Sequence, residues 1–144
     1  MEKNEFILYL YKITDMGVKS TKTLLDILKN KENKILPILD DELDEYNKAY
    51  QEVKELMKKR GIEEPNFGIL QNLGVSASMH LELMQDNSDT RIANMLIQGY
   101  TMGNLELEKQ YKKYKKELSE EENKIVDYIK EIQDENIKKL KTYL

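Results

Sequence analysis

Apolar side chains recur along most of the 144-residue chain at alternating gaps of four and three, the spacing that lines one face of an α-helix. From about residue 3 to 29 the core-facing positions are Phe6, Leu10, Ile13, Gly17, Ser20, Leu24 and Ile27, a bundle seam with a small middle. Glycine inside a helix costs about 1 kcal/mol relative to alanine, so Gly17 predicts the close approach of another helix. A second helix, about 33 to 60, has the cleanest seam: Leu36, Leu39, Leu43, Tyr46, Tyr50, Val53 and Met57. Pro37 is tolerated near its start if Asn33 caps the helix, and a later start fits equally well. Its end is sharper, because Lys58, Lys59 and Arg60 complement the helix dipole, Gly61 suits a left-handed cap, and Pro65 follows.

Residues 62 to 87 read as a connection carrying a shorter amphipathic helix, about 67 to 85, with Ile69, Leu70, Leu73, Ala77, Leu81 and Met84 on one face. The polar cluster Asp86-Asn87-Ser88-Asp89 breaks that helix and supplies N-cap side chains for the next, about 89 to 117. Ser119-Glu120-Glu121-Glu122 has the capping-box form Ser-x-x-Glu and opens a last helix running to about Tyr143. Its seam is Ile125, Ile129, Ile132, Asn136, Leu140 and Tyr143. Only two prolines and six glycines interrupt the chain, and hairpin signals are missing, so the predicted fold is all-α: two helical hairpins, about 3–60 and 89–143, joined by a crossover in one domain.

Composition narrows the function classes. Hydrophobic residues at 40% are enough for a core, while charged residues at 35% rule out a polytopic membrane protein. No apolar run reaches the roughly 18 residues of a membrane span, and the amino-terminal MEKNEFILYLYK has no leader pattern, which predicts a cytoplasmic protein with no membrane partner. Having no cysteine, the chain has no disulfide, thiolate metal site or cysteine nucleophile. A net charge of −4 with interspersed signs gives no electrostatic footprint for nucleic acid. The basic run Lys109 to Lys116, KQYKKYKK, is opposed by Glu117, Glu120, Glu121 and Glu122, so it reads as a solvated face with Tyr111 and Tyr114 turned toward the core.

Catalytic signatures are missing. The single histidine, His80, sits in SASMHLEL with Ser76 and Ser78 but without a nucleophile elbow. Gly99-x-x-x-Gly103 lies in a helical pattern and suits helix approach rather than phosphate binding. The stretch Ile92, Met95, Leu96, Gly99 and Met102, flanked by Ile97 and Tyr100, is wider than one seam requires and points to a second contact surface, such as a homodimer or docking of the crossover helix.

Aligning the two hairpins reveals a weak repeat, Asp15-Met16-Gly17 with Thr101-Met102-Gly103, and Asp44-Glu45-Tyr46-Asn47 with Gln133-Asp134-Glu135-Asn136. With the helix lengths and the long connection, this resembles the ferritin-like superfamily, particularly small rubrerythrin-like bacterial proteins. The resemblance spans nearly the whole chain and implies a four-helix bundle enclosing a carboxylate-bridged metal pair. That family carries Glu-x-x-His on the second and fourth bundle helices; the corresponding positions here read Asp44-x-x-Asn47 and Gln133-x-x-Asn136. Asparagine and glutamine supply no charge to hold two divalent ions together, so no cofactor and no catalytic or metal ligand is expected. Asp44, Asn47, Glu106, Gln133 and Asn136 are expected to form a relic polar site. The predicted function is that of a non-enzymatic bundle acting through protein–protein contact or self-association, as a homodimer or with another protein. The alternative is a metal-binding carboxylate protein holding iron or manganese with an altered ligand set around Asp44, Glu45, Glu106 and Glu135.

Overall fold

The structure, a computed structural model, describes residues 2–66, 79 and 82–144. Four long helices carry it: α1 (Glu2–Ile27), α2 (Leu36–Lys59), α3 (Asp89–Tyr114) and α4 (Glu120–Lys141). No strand occurs among the described residues. The expected crossover helix of residues 67–85, and His80 with it, lies mostly outside the described residues; Met79 and residues 82–85 are helical, and Leu83 is buried in the core.

Side-chain contacts fix the direction of each helix. Tyr50 Oη donates to Tyr11 Oη at 3.2 Å, and Gly17 backs onto the Tyr46 ring, so α1 and α2 run antiparallel. Arg60 at the end of α2 donates to Ser119 Oγ at 2.8 Å and Glu122 Oε1 at 3.0 Å, while Tyr143 reaches the Lys34 carbonyl, so α2 and α4 are antiparallel too. Tyr111 donates to Asn123, and Thr90 to the Tyr143 carbonyl, which sets α3 against α4. Tyr114 packs on Phe6 near the start of α1. The order is therefore up, down, down, up, with α2 and α3 parallel, and a parallel pair needs a connection that travels the length of the bundle.

Local chemistry explains the boundaries. Ser88 caps α3 by accepting from Arg91 N, and Ser119 with Glu122 forms the full capping box of α4, worth about 1 kcal/mol. The box is also tertiary, because Glu122 Oε1 receives Arg60 from α2. Gly61 adopts φ +70°, the left-handed conformation that ends α2. The start of α2 differs from the Asn33 cap: the helix begins at Leu36 and has no side-chain cap. Asn33 instead donates to the Asn87 carbonyl and to Asp89 Oδ1, and Asp89 also accepts from the backbone of Lys34 and Ile35. One carboxylate thus ties the α1–α2 turn to the start of α3.

The core follows the α4 seam closely and the α2 seam at Leu39, Tyr46, Val53 and Met57. On α4, Ile125, Ile129, Ile132, Asn136 and Leu140 are all buried. On α2 the buried line is Leu39, Glu42, Tyr46, Ala49, Val53 and Leu56, with Leu36, Leu43 and Tyr50 only half-buried. On α1 the predicted Phe6, Leu10 and Leu24 are buried and Gly17 backs onto the buried Tyr46 ring, but between them the buried residues are Thr14, Val18 and Thr21, with Ile13 and Ser20 only half-buried. A helix that meets neighbours on two sides buries more than one heptad stripe, and the shift rotates the stripe by one residue.

Candidate functional site

Midway along the bundle the apolar core gives way to a polar layer. Glu42 and Tyr46 come from successive turns of α2, Tyr100 from α3, and Gln133 and Asn136 from successive turns of α4. All five are buried. Tyr100 Oη donates to Glu42 Oε2 at 2.7 Å, and Gln133 Nε2 donates to Tyr46 Oη at 3.3 Å. The rings of Tyr46 and Tyr100 stack, with centroids 6.1 Å apart and planes 12° apart. The antiparallel register that pairs Tyr46 with Gln133 sets Glu42 at the level of Asn136 one turn farther on.

Two glycines give the layer its shape. A Cβ on Gly17 would stand 2.7 Å from Tyr46 Cδ1, and one on Gly103 would stand 3.4 Å from Gln133 Nε2. Gly103 against Gln133 thus repeats Gly17 against Tyr46 to within one residue. In this packing Tyr46 and Ala49, both buried, are the counterparts of Gln133 and Asn136. The structure therefore places Gln133 and Asn136 of the predicted polar site in the layer, but leaves Asp44, Asn47 and Glu106 exposed. Of the altered carboxylate set, Glu135 is exposed and Glu45 is half-buried. Glu42, which the sequence reading passed over, occupies the layer instead. Its signal was its phase, since it falls on the Leu39, Tyr46, Ala49, Val53 line.

The electrostatics follow from burial. Loss of water raises the Glu42 carboxyl to about 7; the Tyr100 hydrogen bond lowers it, Glu45 raises it and Lys139 lowers it. Burial likewise pushes the phenols of Tyr46 and Tyr100 well above their ordinary range. Both tyrosines are neutral donors or acceptors rather than anionic ligands. Among the described residues, Glu42 Oε1, Gln133 Oε1 and both amide atoms of Asn136 have no hydrogen-bond partner. Among the described residues, no three histidine, aspartate or glutamate side chains gather closely enough to hold a metal ion.

The surface has its own asymmetry. Lys109, Lys112, Lys113, Lys115 and Lys116 are exposed, whereas Tyr114 is buried and Tyr111 half-buried, so the basic run is a solvated face with its tyrosines inward. On α3, Met102 is 71% and Leu105 65% exposed, and a Cβ on Gly99 would meet nothing within 4 Å among the described residues. Gly103 backs onto Gln133, whereas Gly99 lies one turn earlier on the same side of α3. No helix among the described residues is long and apolar enough to cross a membrane. Comparison with family models, with curated proteins and with solved structures returns no match.

Proposed function

We propose that the protein is a ferritin-like bundle without a di-metal centre that acts through its surface, by self-association along α3. The up, down, down, up order and the near-twofold repeat of glycine contacts support the ferritin-like reading. A carboxylate-bridged metal pair requires several carboxylates and imidazoles converging on one point. The layer offers one carboxylate, two neutral phenols and two amides, so its residues do not fit such a pair.

The observation that carries the interaction reading is the outward face of α3. Met102 and Leu105 lie three residues apart on that face, beside Gly99, and both are more than half exposed, so this apolar pair is available to a partner. A small residue beside two adaptable apolar ones lets a second helix approach closely. A symmetric pair of α3 helices would bury both copies of the patch at once, as a twofold interface does. Sedimentation of the purified protein is expected to show a concentration-dependent dimer of the 17.0 kDa chain. The double substitution Met102→Glu, Leu105→Glu is expected to weaken it by at least about tenfold, since each change acts twice across the axis. A monomer at all concentrations would refute self-association. Stoichiometric iron or manganese retained through purification would favour the carboxylate alternative.

A further inference from the structure

We infer that the polar layer is an internal binding site for one small monovalent cation, held by Glu42 Oε1, Gln133 Oε1 and Asn136 Oδ1. The reasoning begins with the unpaired atoms. A buried polar atom without a partner costs free energy, so several such atoms in one layer call for a bound water or ion. Three of the four unpaired atoms here are oxygen acceptors, so a single group that satisfied all three would have to be electropositive. Oxygen donors of this kind, one carboxylate with amide carbonyls, suit hard cations.

Charge selects among them. Among the described residues Glu42 is the one carboxylate of the layer, and it is fully buried. A monovalent ion leaves a neutral buried unit, whereas a divalent ion would leave a net positive charge in the core. The surroundings set limits on the same balance. Glu45 on α2 adds negative field, Lys139 on α4 opposes it, Tyr100 from α3 donates to the other carboxylate oxygen, and on α1 Asp15 is already paired with Lys19. The second oxygen of Glu42 is thereby left for the ion. Gly17 and Gly103 fix the rings and amide around it, because neither Tyr46 nor Gln133 can retreat without losing the bond between them.

The inference does not depend on self-association, and its test is separate. Thermal unfolding is followed at pH 8 in choline chloride, whose cation is too bulky for a buried layer, and then with sodium, potassium or ammonium chloride at equal ionic strength. At least one small cation is expected to raise the melting temperature by roughly 5 °C with a saturating dependence. Ion and proton compete for Glu42, so the effect is expected to fade below pH 6. Glu42→Gln keeps an acceptor for Tyr100 and removes a buried charge, so it is expected to fold and to lose the response; Asn136→Leu is expected to lose it as well. A second measurement needs no variant: crystals grown with thallium(I) are expected to show one anomalous peak among the three oxygens. Equal response to choline and to the small cations, an undiminished response in Glu42→Gln, or no thallium in the layer would each overturn the inference.

Discussion

Glu42 is the residue on which the polar layer turns, because burial has separated its folded and unfolded behaviour. Unfolded, its carboxyl titrates near 4.5; folded, near 7. Between those values the native chain holds a proton that the unfolded chain has released. Stability from this group is therefore greatest below the unfolded value, falls as pH rises through the window, and is level above about 7. Integrated over the window the loss is about 3 kcal/mol in a buffer whose only cation is choline. Urea unfolding from pH 4.5 to 8 is expected to show that decline in the parent protein and a much flatter profile in Glu42→Gln. The same profile in both would mean that other groups govern the slope. Tyr100 matters here as the donor that keeps one carboxylate oxygen satisfied in either protonation state, so Tyr100→Phe is a change at the layer rather than at the surface.

At the scale of helices, the three glycines of α1 and α3 separate propensity from packing. Alanine is the better helix former at all three by about 1 kcal/mol. At Gly17 the new methyl would press into the ring of Tyr46, which is buried, stacked on Tyr100 and bonded to Gln133. Overpacking of that kind costs about 1–3 kcal/mol, so Gly17→Ala is expected to be destabilising on balance. Gly99→Ala meets nothing within 4 Å among the described residues and is expected to stabilise the monomer by up to about 1 kcal/mol. Chemical denaturation of the two variants side by side reads both signs, and a stabilised Gly17→Ala would mean that the α1–α2 crossing is looser than the Tyr46 contact implies. The small middle of α1 was legible in the sequence because glycine in a helix is anomalous. So was the capping box of α4, whose signature is local. The phase of α1 was not, because Ile13 and Thr14 compete for one stripe and hydrophobicity favours the wrong one. Glu42 escaped notice for a related reason: a charged residue on the core phase looks like surface until its partner, Tyr100 from α3, is known. Asn47 aligns with Asn136 by identity of type, which carries Asp44 onto Gln133, whereas the packing repeat pairs Tyr46 with Gln133, whose chemistries share little.

At the scale of the molecule, the parallel course of α2 and α3 makes the connection a determinant of topology. Arg60 sits beside Ser119 at one end of the bundle, and Asn33 bonds Asp89 at the other, so the chain must return along the whole bundle before α3 begins. A helix of this length spans about 36 Å, and an extended chain covers at most about 3.3–3.6 Å per residue, so at least ten or eleven residues are needed. Replacing Gly61 to Ser88 with six residues of glycine and serine, glycine first and serine last to keep both caps, leaves seven residues between α2 and α3, which cannot close that distance within one chain. The two hairpins still carry complementary faces, with Tyr46 and Arg60 of the first set against Gln133 and Glu122 of the second. They are therefore expected to find those faces on another copy, giving an exchanged dimer that does not dissociate on dilution. A replacement of twenty glycine and serine residues reaches easily and is expected to restore the single-chain bundle, less stable by the lost burial of Leu83. Light scattering of the two proteins, each carrying Met102→Glu and Leu105→Glu to suppress association along α3, distinguishes exchange from surface pairing. If the six-residue version stays a folded monomer, α2 and α3 run antiparallel in solution, and the order of the four helices must be redrawn.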